Sequence, residues 1–218
     1  MKPDETRAHI VFDNDGTMID SISNFFTITE EILPRHMGRV VTPEEAKKAY
    51  VPDWIQFFKN LGVENPSEEF IQGIIDDLNE ANKDFLPPMI PGTKEFIKEI
   101  QGLNMATYVW TGRDRASGIQ VLDGLGLSEL FVAMEFRDTS SPKPNPAGLE
   151  VMLPNIPKEK ILLIGDSIVD IKGAQAFGIK CLIVDWFGGD NHKELIDAGA
   201  AAVVTTHEEA KSFILENF

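Results

Sequence analysis

Short apolar runs closed by polar or glycine-containing turns alternate with helical patterns over much of this chain. His9 to Phe12 is one such run, ending in Asp, Asn and Gly, and it reads as a buried strand entering a turn. Met105 to Trp110, Ile161 to Ile164 and Lys180 to Asp185 repeat the pattern, and Phe131 to Phe136 and Ala201 to Val204 are weaker versions of it. Helical segments lie between them. Lys94 to Ile100 follows Pro91-Gly92-Thr93, and Ile171 to Phe177 is closed by Gly178, where glycine suits a helix C-terminus. Apolar strands separated by helices predict an α/β fold: a Rossmann-like parallel sheet with helices on both faces.

Between Asp20 and Pro88 the strand pattern disappears. Thr42-Pro43-Glu44-Glu45 and Asn65-Pro66-Ser67-Glu68 each offer an N-cap residue, a proline at the first helical position and a glutamate at the third. Trp54, Phe57, Phe58 and Leu61 recur at i, i+3, i+4 and i+7, the stripe of a helix facing a core. The proline-rich Leu86-Pro87-Pro88-Met89-Ile90-Pro91 cannot continue a helix and marks a return to the sheet. The predicted organisation is a discontinuous α/β domain, 1–19 with 88–218, interrupted by an all-helical insert, 20–87.

Composition narrows the function classes. The 218 residues are 43% hydrophobic and 25% charged, as in an ordinary globular protein, and no apolar run approaches the ~20 residues that span a bilayer. No membrane association is expected. Met1 to Arg7 lacks an apolar stretch of signal-peptide type and a single cysteine, Cys181, allows no intrachain disulfide, so a cytoplasmic location is expected. A net charge of -15 with no basic cluster argues against nucleic acid as a partner. For a small anionic substrate, the same charge demands a local cationic site.

Candidates for that site stand at the predicted strand ends. Asp13 and Asp15 are two positions apart, so in extended backbone they project to one side. Asp166 and Asp170 follow another strand, and in a parallel sheet the C-terminal strand ends share one crevice. Carboxylates converging without His or Cys favour a hard cation, best Mg²⁺. Thr111-Gly112 after the strand Met105 to Trp110, and Lys143 between prolines, supply hydroxyl, amide and ammonium donors suited to phosphoryl oxygens.

Asp13-Asn14-Asp15-Gly16-Thr17, Thr111, Lys143 and Gly165-Asp166 through Asp170 resemble, in order, the four motifs of the haloacid dehalogenase superfamily. The helical insert just after the first motif is similar to the caps of the phosphoglycolate phosphatase and β-phosphoglucomutase branch. The resemblance implies Asp13 as nucleophile, Asp15 as general acid and then base, and Thr111, Gly112 and Lys143 as binders of the substrate phosphate. It implies Mg²⁺ held by Asp13, Asp15 and Asp166, with Asp170 ordering Lys143 or the metal's water shell. The implied reaction is hydrolysis of a small-molecule phosphate monoester through a phosphoaspartyl intermediate, for which a monomer or a homodimer suffices.

Dehalogenase and phosphonatase relatives typically lack a second aspartate in the first motif, which Asp15 supplies. Sugar phosphomutases keep it but usually carry a histidine shortly after, where this chain reads Asp20 to Phe26; the mutase is the first alternative, and a non-catalytic phosphate-binding module the second. Arg113 is left between phosphate binding and ion pairing. His9, His36, His192 and His207 show no metal-ligand spacing, and Cys181 reads as a small core residue.

Overall fold

The computed structural model of the chain describes residues 7–50, 54–82, 86–189 and 191–218; the N-terminal Met1 to Thr6, read above for a leader, lies outside them. The chain divides into two compact units, one formed by Met1–Asp20 and Pro88–Phe218 and the other by Ser21–Pro87.

In the first unit, β1 (His9–Phe12), β2 (Ala106–Trp110), β3 (Met134–Glu135), β4 (Ile161–Gly165), β5 (Lys180–Val184) and β6 (Ala202–Val204) form one parallel sheet in the order β3-β2-β1-β4-β5-β6. β1 sits at its middle, Phe12 opposite Val109 on one side and Ile164 on the other. The chain leaves β1 toward β2 and β3, then crosses back to β4. The strand order therefore reverses beside β1, where the crevice of an open α/β sheet forms. The segment Phe131 to Phe136 is a strand only at Met134–Glu135, although Val132 N–H still donates to the Thr107 carbonyl at 2.9 Å. Before it, Ser128–Leu130 winds into a 3₁₀ turn that takes Phe131 out of the ladder.

The second unit contains α1 (Ser21–Met37), α2 (Pro43–Ala49), α3 (Trp54–Asn60) and α4 (Glu68–Asn82). Thr42 caps α2 as its sequence requires, its hydroxyl accepting from Glu45 N–H at 3.2 Å. The cap of α4 differs: Ser67, not Asn65, accepts from Phe70 N–H at 3.1 Å, and the helix begins two residues later than the sequence suggests. The Ser67 hydroxyl, itself a strongly preferred N-cap group, takes the place of the Asn65 amide. Phe57, Phe58 and Leu61 are buried together with Ile32, Leu33, Ile74 and Leu78, and Trp54 packs against them, as the stripe predicts.

The remaining helices belong to the sheet unit: α5 (Thr93–Gly102), α6 (Arg115–Gly124), α7 (Ala147–Met152), α8 (Ile168–Phe177), α9 (His192–Asp197) and α10 (His207–Asn217). Because strand side chains alternate, Ile10, Phe12, Val109 and Ile164 pack on one face against Phe96 and Ile97 of α5, Leu122 of α6 and Ile214 of α10. Val11, Tyr108, Trp110 and Leu163 pack on the other against Leu149 of α7, Ile171 and Ala174 of α8 and Leu195 of α9. With both faces covered, functional side chains are left to the strand ends. Among the described residues no helix is long and apolar enough to cross a membrane.

Candidate active site

Asp13 is the residue at which β1 runs out. Its N–H still donates to the Ile164 carbonyl at 2.8 Å, which fixes its backbone against β4, and its side chain is buried. Lys143 reaches it from the loop before α7: the ammonium donates to Asp13 Oδ1 at 2.7 Å and to Asp170 Oδ1 at 2.6 Å. Asp170 is held in turn by the start of α8, where its Oδ2 accepts from the Ser167 hydroxyl at 2.7 Å and the Ser167 N–H at 3.2 Å. That capping box starts the helix at Ile168, earlier than apolar periodicity alone suggests. One carboxylate thus caps the start of a helix and orients a lysine.

Oxygens of Asp13, Asp166 and Asp170 lie within 4.8 Å of one another. Asp166 fits because Gly16, at φ 73°, presents no side chain; a Cβ there would collide with the Asp166 carboxylate. Burial, with the Asp170 and Asp15 charges adding and Lys143 opposing, pushes the Asp13 carboxyl up to about 7. Burial and the neighbouring Asp170 and Asp13 likewise hold Asp166 well above the ordinary carboxylate range. Burial pulls Lys143 the other way, but the Asp13 and Asp170 carboxylates outweigh it and keep its pKa above the usual ammonium value. Three carboxylates and one ammonium in one buried spot leave an excess negative charge that a divalent cation would neutralise, and an all-oxygen donor set suits Mg²⁺.

Asp15 stands apart from this cluster. The strand has ended before it, and its carboxylate meets Arg113: Nε donates to Oδ1 and Oδ2 at 3.0 and 2.8 Å, and Nη2 to Oδ1 at 2.6 Å. The expectation that Asp13 and Asp15 would line one metal site assumed extended backbone through both, and this ion pair stands in its place. Arg113 is the ion-paired residue of the two readings left open above. Thr111 is buried at the end of β2; its N–H donates to the Glu135 carbonyl at 3.0 Å and its hydroxyl accepts from Arg113 N–H at 3.1 Å. Gly112 beside it is exposed.

Two contacts lay beyond what the sequence pattern indicated. Trp110 presents its ring to the Lys143 ammonium, 4.7 Å from the centroid, and Ser167 anchors Asp170. The signal for Trp110 was its position directly before Thr111, but a contact with a lysine so distant in sequence has no local signature. The histidines pair elsewhere: His9 with the Tyr108 hydroxyl at 3.0 Å, His36 with Asp77 at 2.8 Å, His192 with Asp185 at 2.6 Å, while His207 stacks on Trp186. Cys181 is buried in β5, and burial pushes its thiol up, away from the reactive thiolate.

The family model described as haloacid dehalogenase-like hydrolase matches residues 10–184. A phosphoglycolate phosphatase of Pseudomonas savastanoi pv. phaseolicola is 26% identical over 196 residues, covering 84% of this chain and 70% of that protein. Pyrophosphatase PpaX of Halalkalibacterium halodurans is 28% identical over 184 residues, covering 81% of this chain and 83% of its own. Among solved structures, a putative β-phosphoglucomutase from Thermotoga maritima superposes with a TM-score of 0.76 at 22% identity, over 97% of this chain and 100% of that one.

Proposed function

The chain belongs to the haloacid dehalogenase-like hydrolase family, and on that premise we propose that it hydrolyses a small-molecule phosphate monoester in a Mg²⁺-dependent reaction through a phosphoaspartate on Asp13. The observation that carries this reading is the Asp13–Lys143–Asp170 array at the strand ends, with Asp166 beside it and Thr111 at the end of the adjacent strand. The names of the curated relatives, phosphoglycolate phosphatase and pyrophosphatase, support a phosphate-releasing reaction on a small molecule.

In the proposed reaction an Asp13 oxygen attacks phosphorus, the bond to the leaving oxygen breaks, and that oxygen takes a proton from Asp15. Water then attacks the acyl phosphate, Asp15 takes a proton from it, and inorganic phosphate leaves with Asp13 restored. Lys143, the Thr111 hydroxyl and the Gly112 N–H bind the phosphoryl oxygens and set the in-line approach. Asp13 and Asp166 would hold Mg²⁺, with Asp170 completing the carboxylate cluster and keeping Lys143 in place. When bound, the ion supplies charge neutralisation for the meeting of two anions. Asp15 serves as acid only after exchanging Arg113 for the leaving oxygen, because both its oxygens accept from that guanidinium.

The test is a phosphate-release screen over phosphoglycolate, inorganic pyrophosphate, sugar phosphates and nucleoside monophosphates, with Mg²⁺ and with chelator. Turnover on at least one substrate is expected, lost in chelator and lowered by at least about 10³-fold in Asp13→Asn. Turnover that survives in Asp13→Asn sinks the nucleophile assignment. Net isomerisation of a sugar 1-phosphate given a bisphosphate would assign the mutase instead.

A further inference from the structure

Lys143 is the one cation within hydrogen-bonding distance of the Asp13 carboxylate among the described residues, and a lysine side chain has four flexible torsions to fix. Two carboxylates hold its ammonium at one end. The third boundary is an aromatic surface: the face of Trp110, with the ammonium 4.7 Å from the ring centroid. This indole is buried, the largest fully buried side chain of the described residues, and the fold makes room for it at two places. Gly148 on α7 has its missing Cβ 2.6 Å from Trp110 Nε1, and at Gly173 on α8 a Cβ would collide with the far end of the same ring. The Gly173 position also faces the Pro144 carbonyl at 3.6 Å, so the indole is wedged between the two helices and the segment that carries Lys143.

We propose that Trp110 is a positioning residue: its ring, locked by the close approach of Gly148 and Gly173, holds the Lys143 ammonium toward Asp13 and toward the phosphoryl group bound there. The inference rests on the phosphatase reading of the same site. An indole face attracts an ammonium through its quadrupole, more strongly when the pair is desolvated, and at the same time excludes rotamers that would carry the ammonium into α7 or α8.

The test compares Trp110→Phe, which keeps a ring, with Trp110→Leu, which does not, in the full chain with Mg²⁺. Inorganic phosphate is the probe, its Kd measured by titration calorimetry. The leucine variant is expected to weaken phosphate binding by about 3- to 30-fold and the phenylalanine variant by less than about 3-fold. In a Lys143→Met background both effects should vanish, because the ring then has nothing to hold. Equal losses with and without Lys143, or equal losses for Phe and Leu, overturn the proposal and leave Trp110 a packing residue. Should the leucine variant not fold, the Lys143 ε-methylene signal of the wild-type protein decides instead.

An independent readout is the Lys143 ε-methylene NMR signal, expected upfield through the ring current of the indole and shifted downfield in Trp110→Phe. An unshifted signal in the wild type overturns the proposal whatever the enzyme does. Wild-type turnover with additive losses removes the Trp110 role only. Absence of both phosphate binding and turnover in the wild type removes the phosphatase reading, and the positioning role with it.

Discussion

The sheet unit and the helical insert bury different kinds of group. Among the described residues the insert hides one polar side chain, Thr29, whose hydroxyl donates to its own helix at the Phe26 carbonyl; the rest of its interior is aliphatic and aromatic. The sheet unit buries His9, Asp13, Asn14, Thr17, Thr93, Thr107, Thr111 and Asp170, and half of these, Asp13, Asn14, Thr17 and Thr111, lie directly beyond the C-terminal ends of β1 and β2. The described interior of the insert is thus apolar but for one hydroxyl. The sheet unit buries polar side chains where its strands end, and the proposed chemistry sits there.

The contrast is tested most strongly by a substitution with no chemical role. Phe58→Ala opens a cavity in the core of the insert and is expected to cost about 3–5 kcal/mol, read as a lowered urea midpoint. A cost under about 1 kcal/mol would mean that the insert's aromatic cluster does not hold it together. At the strand ends, pH and not volume should be the lever. Asp13 is raised from 3.8 to about 7 in the folded chain. Its contribution to stability is therefore complete below the unfolded value and is lost as pH rises through about 7. The thermal midpoint of metal-free protein is expected to fall between about pH 4 and pH 7, and excess Mg²⁺ to remove most of that fall by neutralising the ionised carboxylates. A flat profile in chelator would show that the buried cluster carries no such strain.

The smallest effect expected is at Asn14. Both polar atoms of its buried side chain lack a hydrogen-bond partner within the protein. Asn14→Leu, with the same number and branching of side-chain heavy atoms, should raise the urea midpoint by the equivalent of about 1 kcal/mol. A decrease would instead reveal an ordered water satisfying the amide.

How far the sequence could be read follows the range of the interactions. Strands and their turns were legible because apolar runs ending in Asp-Asn-Asp-Gly or Gly-Asp-Ser are local patterns. The helix start at Thr42 was legible for the same reason. Its counterpart moved from Asn65 to Ser67 because two residues on either side of Pro66 offered competing capping oxygens. Asp13, Lys143, Asp166 and Asp170 come together as the motif order implied, since the sheet brings the ends of β1 and β4 side by side. The partnership of Asp15 with Arg113 was not legible: it depends on the backbone leaving extended geometry at a particular residue. Nor was the seat of Trp110, which needs two glycines on separate helices to face one ring.

The central position of β1 has a consequence for how the chain is made. His9 pairs with Ala106 on one side and with Ile161 on the other, so the middle strand of the sheet emerges from the ribosome first and its partners much later. The insert, whose α1 packs against α2 and α4, closes its contacts over a far shorter stretch of chain. Local contacts form early and pairings across long loops form late. During synthesis the insert is therefore expected to gain structure while the apolar strand Ile10-Val11-Phe12 waits unpaired until β2 arrives, and with one edge open until β4 follows, which makes that strand a segment in need of chaperone protection.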